Sequence, residues 1–222
     1  MTTQEAKIEF DLIANATDSI SRAIELLAWT QEEPNEARRL KQAVLAIAHG
    51  VELLLKERLR RVHPVLIWEN VDKYPSLSAR TVTADIAIRR LENIDGLKFS
   101  EPDVELIRSL RDTRNAVEHY RWSTTKREAD QIIGHALGFA VAFAKDELGY
   151  EFFGYGTHRD GTFNSLIDAH PAFAEAYHKR HQQCEKVTSE VRRFCMHCHV
   201  PLGAGACEAC SFWGSDGDDV PF

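Results

Sequence analysis

Positive charge is what this sequence has too little of. Lys+Arg total 27 against 34 for Asp+Glu, a net charge of −7. Binding nucleic acid through the overall field of a polycation is excluded, so any such contact must come from a local basic patch. Long apolar runs are missing as well. The longest, Ile132 to Ala144, contains His135 and falls short of the ~20 residues a bilayer requires, so no membrane span is expected. The first residues, Met-Thr-Thr-Gln-Glu-Ala-Lys, hold no apolar stretch of the kind a secretory leader needs. Cysteine is nearly absent from the body of the chain: of five, only Cys184 lies outside a C-terminal cluster. A disulfide framework is therefore not expected, and a reducing, cytoplasmic setting is. There are no internal repeats and no low-complexity segment.

What is present reads as helix. With 222 residues, 44% of them hydrophobic, the chain can build one domain with a real core plus a small appendage. Ile13, Ala16, Ile20, Ala23, Ile24 and Leu27 recur at helical spacing and predict a first helix over Thr3–Trp29. Pro34 breaks the pattern and suits the start of a second helix over Asn35–Arg61, with Leu40, Val44, Ile47, Val51, Leu54 and Leu55 inward. Arg58, Arg60 and Arg61 close that helix where positive charge suits the macrodipole. His49 lies among apolar residues and reads as a satisfied core histidine. Glu52 reads as either solvated or turned to a cleft. Val62–Ser78, with two prolines and Trp68, is expected to be a loop with short helical or extended pieces. A third helix is expected over Thr81–Ile94, ended by Gly96.

A fourth helix starts at Ser100, an N-cap with Pro102 in the first turn and Asp103 placed to reach back to the cap's N–H. Val104, Ile107, Leu110 and Val117 give its buried stripe, and Arg108, Arg111, Arg114, Asn115, His119 and Arg121 its other side. Thr125 offers the N-cap of a fifth helix over Lys126–Leu148, apolar nearly all round and hence the buried member. Gly134 and Gly138 on it predict close helix packing or a dimer contact. After Gly149 the sequence turns aromatic and glycine-rich, then polar. Those aromatics are expected to pack over the bundle, stacking on bases being the alternative. A helix over Ala172–Arg193 leads to the tail. The fold class is all-α, an antiparallel helical bundle over 1–149, a connection and helix over 150–193, and a small metal element with an acidic tail over 194–222.

Arg114-Asn115 followed by His119 resembles the signature of the HEPN superfamily, and the helix His49-Gly50-Val51-Glu52-Leu53-Leu54-Leu55-Lys56 resembles the one that precedes it there. As a pattern of helices the resemblance spans Gln4 to Leu148, and its sharp part is the six residues from Arg114 to His119. It implies a homodimeric ribonuclease that cuts RNA without a metal, of a toxin or defence-effector kind. Because a free ribonuclease would be harmful, an antitoxin or other regulatory protein is a further expectation, which no residue here shows. One subgroup carries a tyrosine two places after the histidine. Here that place is Arg121, with Tyr120 one residue early, so that form of regulation is not carried over.

At about 100° per residue Asn115 and His119 share a face, while Arg114 and His119 diverge by roughly 140°. One straight helix cannot aim both at one small ligand. Two such helices across a two-fold axis can, so a functional motif predicts a dimer. Arg114, Asn115 and His119 are then the catalytic candidates. Free histidine titrates near ~6.5 and serves as base or acid at neutral pH. Arg114 would hold the phosphate oxygens and Asn115 orient the histidine or the phosphate. Arg108, Arg111 and Arg121 would position the RNA backbone. In the plain alternative, Arg114 pairs with Glu118 one turn on, a contact worth a few tenths of a kcal/mol, and His119 is a surface residue.

Cys195-x2-Cys198 and Cys207-x2-Cys210, separated by eight residues, present four thiolates for one tetrahedral Zn2+. Four sulfurs leave no position for water, so the metal is structural. Some twenty residues cannot bury enough apolar area to fold alone, and the metal supplies the missing free energy. The rival functional readings are a non-catalytic dimerisation or adaptor module whose zinc element binds a partner, and a basic cleft that holds a nucleotide without chemistry.

Overall fold

A computed structural model describes residues 9–28, 36–76, 78–153, 161–180, 193–194 and 201–202. The predicted starts of the first two helices, Pro34, Cys184 and all four zinc-ligand candidates lie outside the described residues. The chain divides into two compact units, 1–177 and 178–222.

The first unit is all-α among its described residues. Its helices are α1 (Leu12–Ala28), α2 (Glu36–Val62), α3 (Ala84–Arg90), α4 (Glu101–His119), α5 (Lys126–Leu148), α6 (Thr162–Ala169) and α7 (171–180, of which 171–177 belong to this unit). α2 is the central member and packs on α1, α3, α4 and α5. All six of its predicted apolar positions are buried. Gly50 allows the close approach of α1: a Cβ there would stand 2.6 Å from Ile20 Cδ1. Gly50 meets Ala16 and Ile20, while Gln42, Leu45 and Ala46 earlier on α2 share a hollow with Arg22 and Leu26 later on α1, so the two helices run antiparallel.

Three boundaries differ from expectation. α1 begins at Leu12, because the Asp11 carboxylate accepts from the Ala14 N–H at 2.8 Å and caps the helix. The third helix is short, Ala84–Arg90, and continues as one π turn over Leu91–Asp95. Gly96, at φ 76°, ends it as expected. The helix expected to reach Arg193 is described only over 171–180, and Arg193 is itself extended. The Val62–Ser78 stretch forms two short 3-10 turns, Pro64–Ile67 and Val71–Lys73, and Trp68 bridges to Thr81. Arg90 fastens this loop, donating to the carbonyls of Leu66, Trp68 and Glu69.

α5 is buried through its middle, as its pattern predicted. Thr125 caps it in a full capping box with Glu128. Gly134 and Gly138 let α7 lie close against it: a Cβ on Gly134 would stand 2.5 Å from the Phe173 amide nitrogen, and one on Gly138 2.8 Å from Ala176 Cβ. Of the aromatics after Gly149, Phe152 and Phe153 pack against the core, Tyr150 is exposed, and Tyr155 lies outside the described residues. Phe153, Phe163, Phe173 and Tyr177 form one edge-to-face cluster, with Phe153 and Phe163 centroids 5.0 Å apart. No described helix is long and apolar enough to cross a membrane.

In the second unit, β1 (Arg193–Phe194) and β2 (Pro201–Leu202) pair antiparallel, Arg193 opposite Leu202 and Phe194 opposite Pro201.

Candidate functional site

Local chemistry starts α4 where the sequence says it should. The Ser100 hydroxyl accepts from the Asp103 N–H at 3.3 Å, Pro102 stands in the first turn, and the Asp103 carboxylate accepts from the Ser100 hydroxyl at 2.7 Å. Ile107 and Leu110 are buried against the bundle, while Val104 and Val117 are half-buried. The helix ends at His119. Tyr120 leaves helical geometry and returns its N–H to Ala116 O. Tyr120 is 86% exposed, and its ring stands edge-on to that of His119.

The Arg-Asn-x3-His residues therefore sit on the last two turns of α4. Asn115 and His119 are both exposed and Arg114 is half-buried. Arg114 Nε donates to Glu118 at 3.0 Å, and its Nη1 reaches Glu52 on α2 at 3.5 Å. The plain i,i+4 pair thus exists, but it does not occupy the whole guanidinium. Glu52 also takes Lys56 Nζ at 2.5 Å, and buried Lys56 donates on to Thr81 at 2.9 Å. Glu52 is therefore a strut between α2 and α4 rather than a free surface carboxylate. Of the three backbone-positioning candidates, Arg108 and Arg111 both pair with Asp85 on α3, and Arg111 also holds Asp112. Arg121 is exposed and has no ion pair among the described residues.

Arg114 lies between two hollows. One, of about 200 Å³, is lined by Glu52, Arg111, Arg114 and Asn115 over the apolar floor of Val51 and Ile107. The other, of about 360 Å³, runs across α1, α2 and α4 and is lined by Arg22, Gln42, His49, Arg114 and Glu118 over Leu26, Leu45 and Ala46. His119 lines neither, which agrees with the divergence computed from helix geometry. A third groove of about 500 Å³ lies beyond the end of α4, between Lys41, Trp122, Ser123, Thr124 and Lys126.

His49 is where the sequence reading fails. It was expected in the core, yet it is exposed and lines the groove with Arg114. Its helical phase carried the signal. His49 is two residues from buried Ile47, about 200° around the helix, and shares a face with Gln42, Leu45 and Ala46.

The chain matches no protein-family model, no curated protein and no solved structure.

Proposed function

We propose that this chain is a metal-independent endoribonuclease of the HEPN type, working as a homodimer. The observation that carries the reading is the end of α4: an exposed imidazole at His119, an exposed amide one turn earlier at Asn115, and an arginine at the lip of two hollows. Two such helix ends across a two-fold axis pool what one cannot converge.

In the reaction, His119 takes the proton of a ribose 2′-hydroxyl as O2′ attacks the adjacent phosphorus. The bond from phosphorus to the 5′ oxygen breaks, and that oxygen receives a proton from the second copy of the histidine. The products are a 2′,3′-cyclic phosphate and a free 5′-hydroxyl. Arg114 stabilises charge on the non-bridging oxygens and Asn115 orients the imidazole. Arg108, Arg111 and Arg121 position the strand, Arg121 with the least competition from carboxylates. Such an enzyme harms its own cell unless restrained, so a toxin or defence role under an antitoxin or other regulator fits, in the cytoplasm.

The four cysteines Cys195, Cys198, Cys207 and Cys210 would hold one structural Zn2+. In support, β1 and β2 pair on either side of the Cys195-x2-Cys198 segment in the sequence, and thiolates suit this metal. The zinc supplies folding free energy and takes no part in the cut.

The test is RNA cleavage by wild-type, Arg114→Ala and His119→Ala proteins, with and without chelator. The expected result is cleavage by wild type alone, undiminished by chelator and absent on DNA. Equal cleavage by all three proteins removes the reading. One observation favours the second reading, a non-catalytic dimerisation or adaptor module: carboxylates engage Arg108, Arg111 and Arg114. That reading gains if no protein cleaves RNA and Cys195→Ser abolishes binding to a partner.

A further inference from the structure

We infer that His49 is the in-chain partner of Arg114, and that the groove they line with Arg22 holds a phosphodiester of the nucleic-acid strand. This rests on the nuclease reading and extends it to a residue outside the Arg-Asn-x3-His spacing.

Three helices build the groove, each through residues one turn apart. α1 gives Arg22 and Leu26, α2 gives Gln42, Leu45, Ala46 and His49, and α4 gives Arg114 and Glu118. The floor is apolar and the rim polar, and its volume of about 360 Å³ falls in the range of small-ligand sites, about 300–1,000 Å³. A rigid wall backs it, since the opposite side of α2 is core.

The charges facing this space are Arg22, Arg114 and Glu118, with Glu25 and Glu52 as their further partners. Of the three ion pairs that hold the arginines, Arg22–Glu25 and Arg114–Glu118 are easily exchanged. Arg22–Glu25 is more than half exposed on each side, and Arg114–Glu118 is about one-third exposed on each. Pairs of that exposure are worth little, so a phosphate can take their place. Arg114 Nη2 makes no hydrogen bond among the described residues, and Nη1 makes only the 3.5 Å contact to Glu52. A guanidinium with a free edge suits two phosphate oxygens, and an imidazole ring N–H lining the same groove can donate a further hydrogen bond. His49 is exposed and has no partner among the described residues, so nothing competes for it. The groove is therefore an anion seat within one protomer, while His119 acts at the helix end.

The test uses the full chain and a short single-stranded deoxyribonucleotide, which has phosphodiesters but no 2′-hydroxyl and is not cut. Inorganic phosphate is the comparison. Histidine ring NMR and fluorescence anisotropy read binding. We expect the His49 ring signals to shift on adding the oligonucleotide. His49→Ala and Arg114→Ala should each weaken binding about fivefold, and Lys73→Ala, at an exposed lysine that lines none of the hollows, should leave it unchanged. His49→Lys should restore part of the loss. Because His49 is exposed, the His49 variants keep the wild-type melting temperature. Unmoved His49 signals, or unchanged binding by His49→Ala, overturn the inference. So does a response to phosphate that the oligonucleotide does not exceed. If the oligonucleotide binds through His49 but wild type never cuts RNA, the nuclease reading fails and the groove stands. If His119 is needed for cutting and His49→Ala alters neither KM nor oligonucleotide binding, only the groove fails.

Discussion

Arg114 Nε donates to Glu118 Oε2 at 3.0 Å across the last full turn of α4. Glu118 therefore competes with any phosphate for the same guanidinium. The pair is about one-third exposed on each side, and its worth is a few tenths of a kcal/mol. Glu118→Gln should strengthen oligonucleotide binding by about two- to threefold and leave stability nearly unchanged. Anisotropy and a thermal melt check both halves. Weaker binding would mean that Glu118 positions Arg114 instead of masking it.

Gly134 lies against the backbone of α7. An added Cβ would stand 2.5 Å from Phe173 N and 2.8 Å from Ala172 C, so rotating a side chain cannot relieve it. The helices must separate. Gly134→Ala gains some helix propensity but should destabilise the first unit by about 1–3 kcal/mol overall. Urea unfolding reads the sign. A stabilised variant would show that α7 does not hold this distance in solution.

Arg90 is the only link described between α3 and the carbonyls of Leu66, Trp68 and Glu69. A guanidinium bonded to three carbonyls cannot be replaced by water without loosening the loop. Arg90→Ala should cost about 2 kcal/mol and raise the rate of proteolysis within Val62–Ser78. The α4 residues should keep their amide protection. Cleavage at wild-type rates would show that the loop is held by other contacts.

Glu128 is held below its ordinary value of 4.5, first by the Thr125 backbone N–H and then by the Thr125 and Thr124 hydroxyls. The folded state therefore prefers the carboxylate. Its contribution to α5 is present above the unfolded value and is lost as pH falls through the depressed folded value. Glu128→Gln should flatten the acid limb of stability, read as melting temperature between about pH 6 and 3. An acid limb identical to wild type would mean the capping box adds no pH dependence.

Much of the architecture was legible because helices announce themselves locally. Periodicity marked the buried faces of α1, α2 and α5. The caps at Ser100 and Thr125 and the left-handed Gly96 fixed helix ends through bonds made within five residues. The start of α1 was missed because Asp11, a cap of the same kind, sits within a stretch that also reads as helix. The third helix starts three residues later than its pattern suggests because Thr81 bridges to Trp68 in the preceding loop, a pairing that local propensity does not reveal, and the π turn over Leu91–Asp95 was likewise not legible.

The candidate site was legible by halves. Spacing along α4 set the divergence of Arg114 from Asn115 and His119, since angles within one helix follow from the chain alone. What faces those residues did not follow. Asp85 on α3 meets Arg108 and Arg111, Glu52 on α2 meets Arg114, and His49 shares the Arg114 groove across helices far apart in sequence.

By itself the sequence determined that the chain is helical, which faces are apolar, where the helices are capped, and that Arg114, Asn115 and His119 share one helix. Only the tertiary structure decided that α2 is the central member, that Gly134 and Gly138 seat α7, and that His49 faces a groove instead of the core. Periodicity orders residues around a single axis. Which axis lies opposite depends on packing between distant segments, where a difference of one helix face decides between burial and exposure.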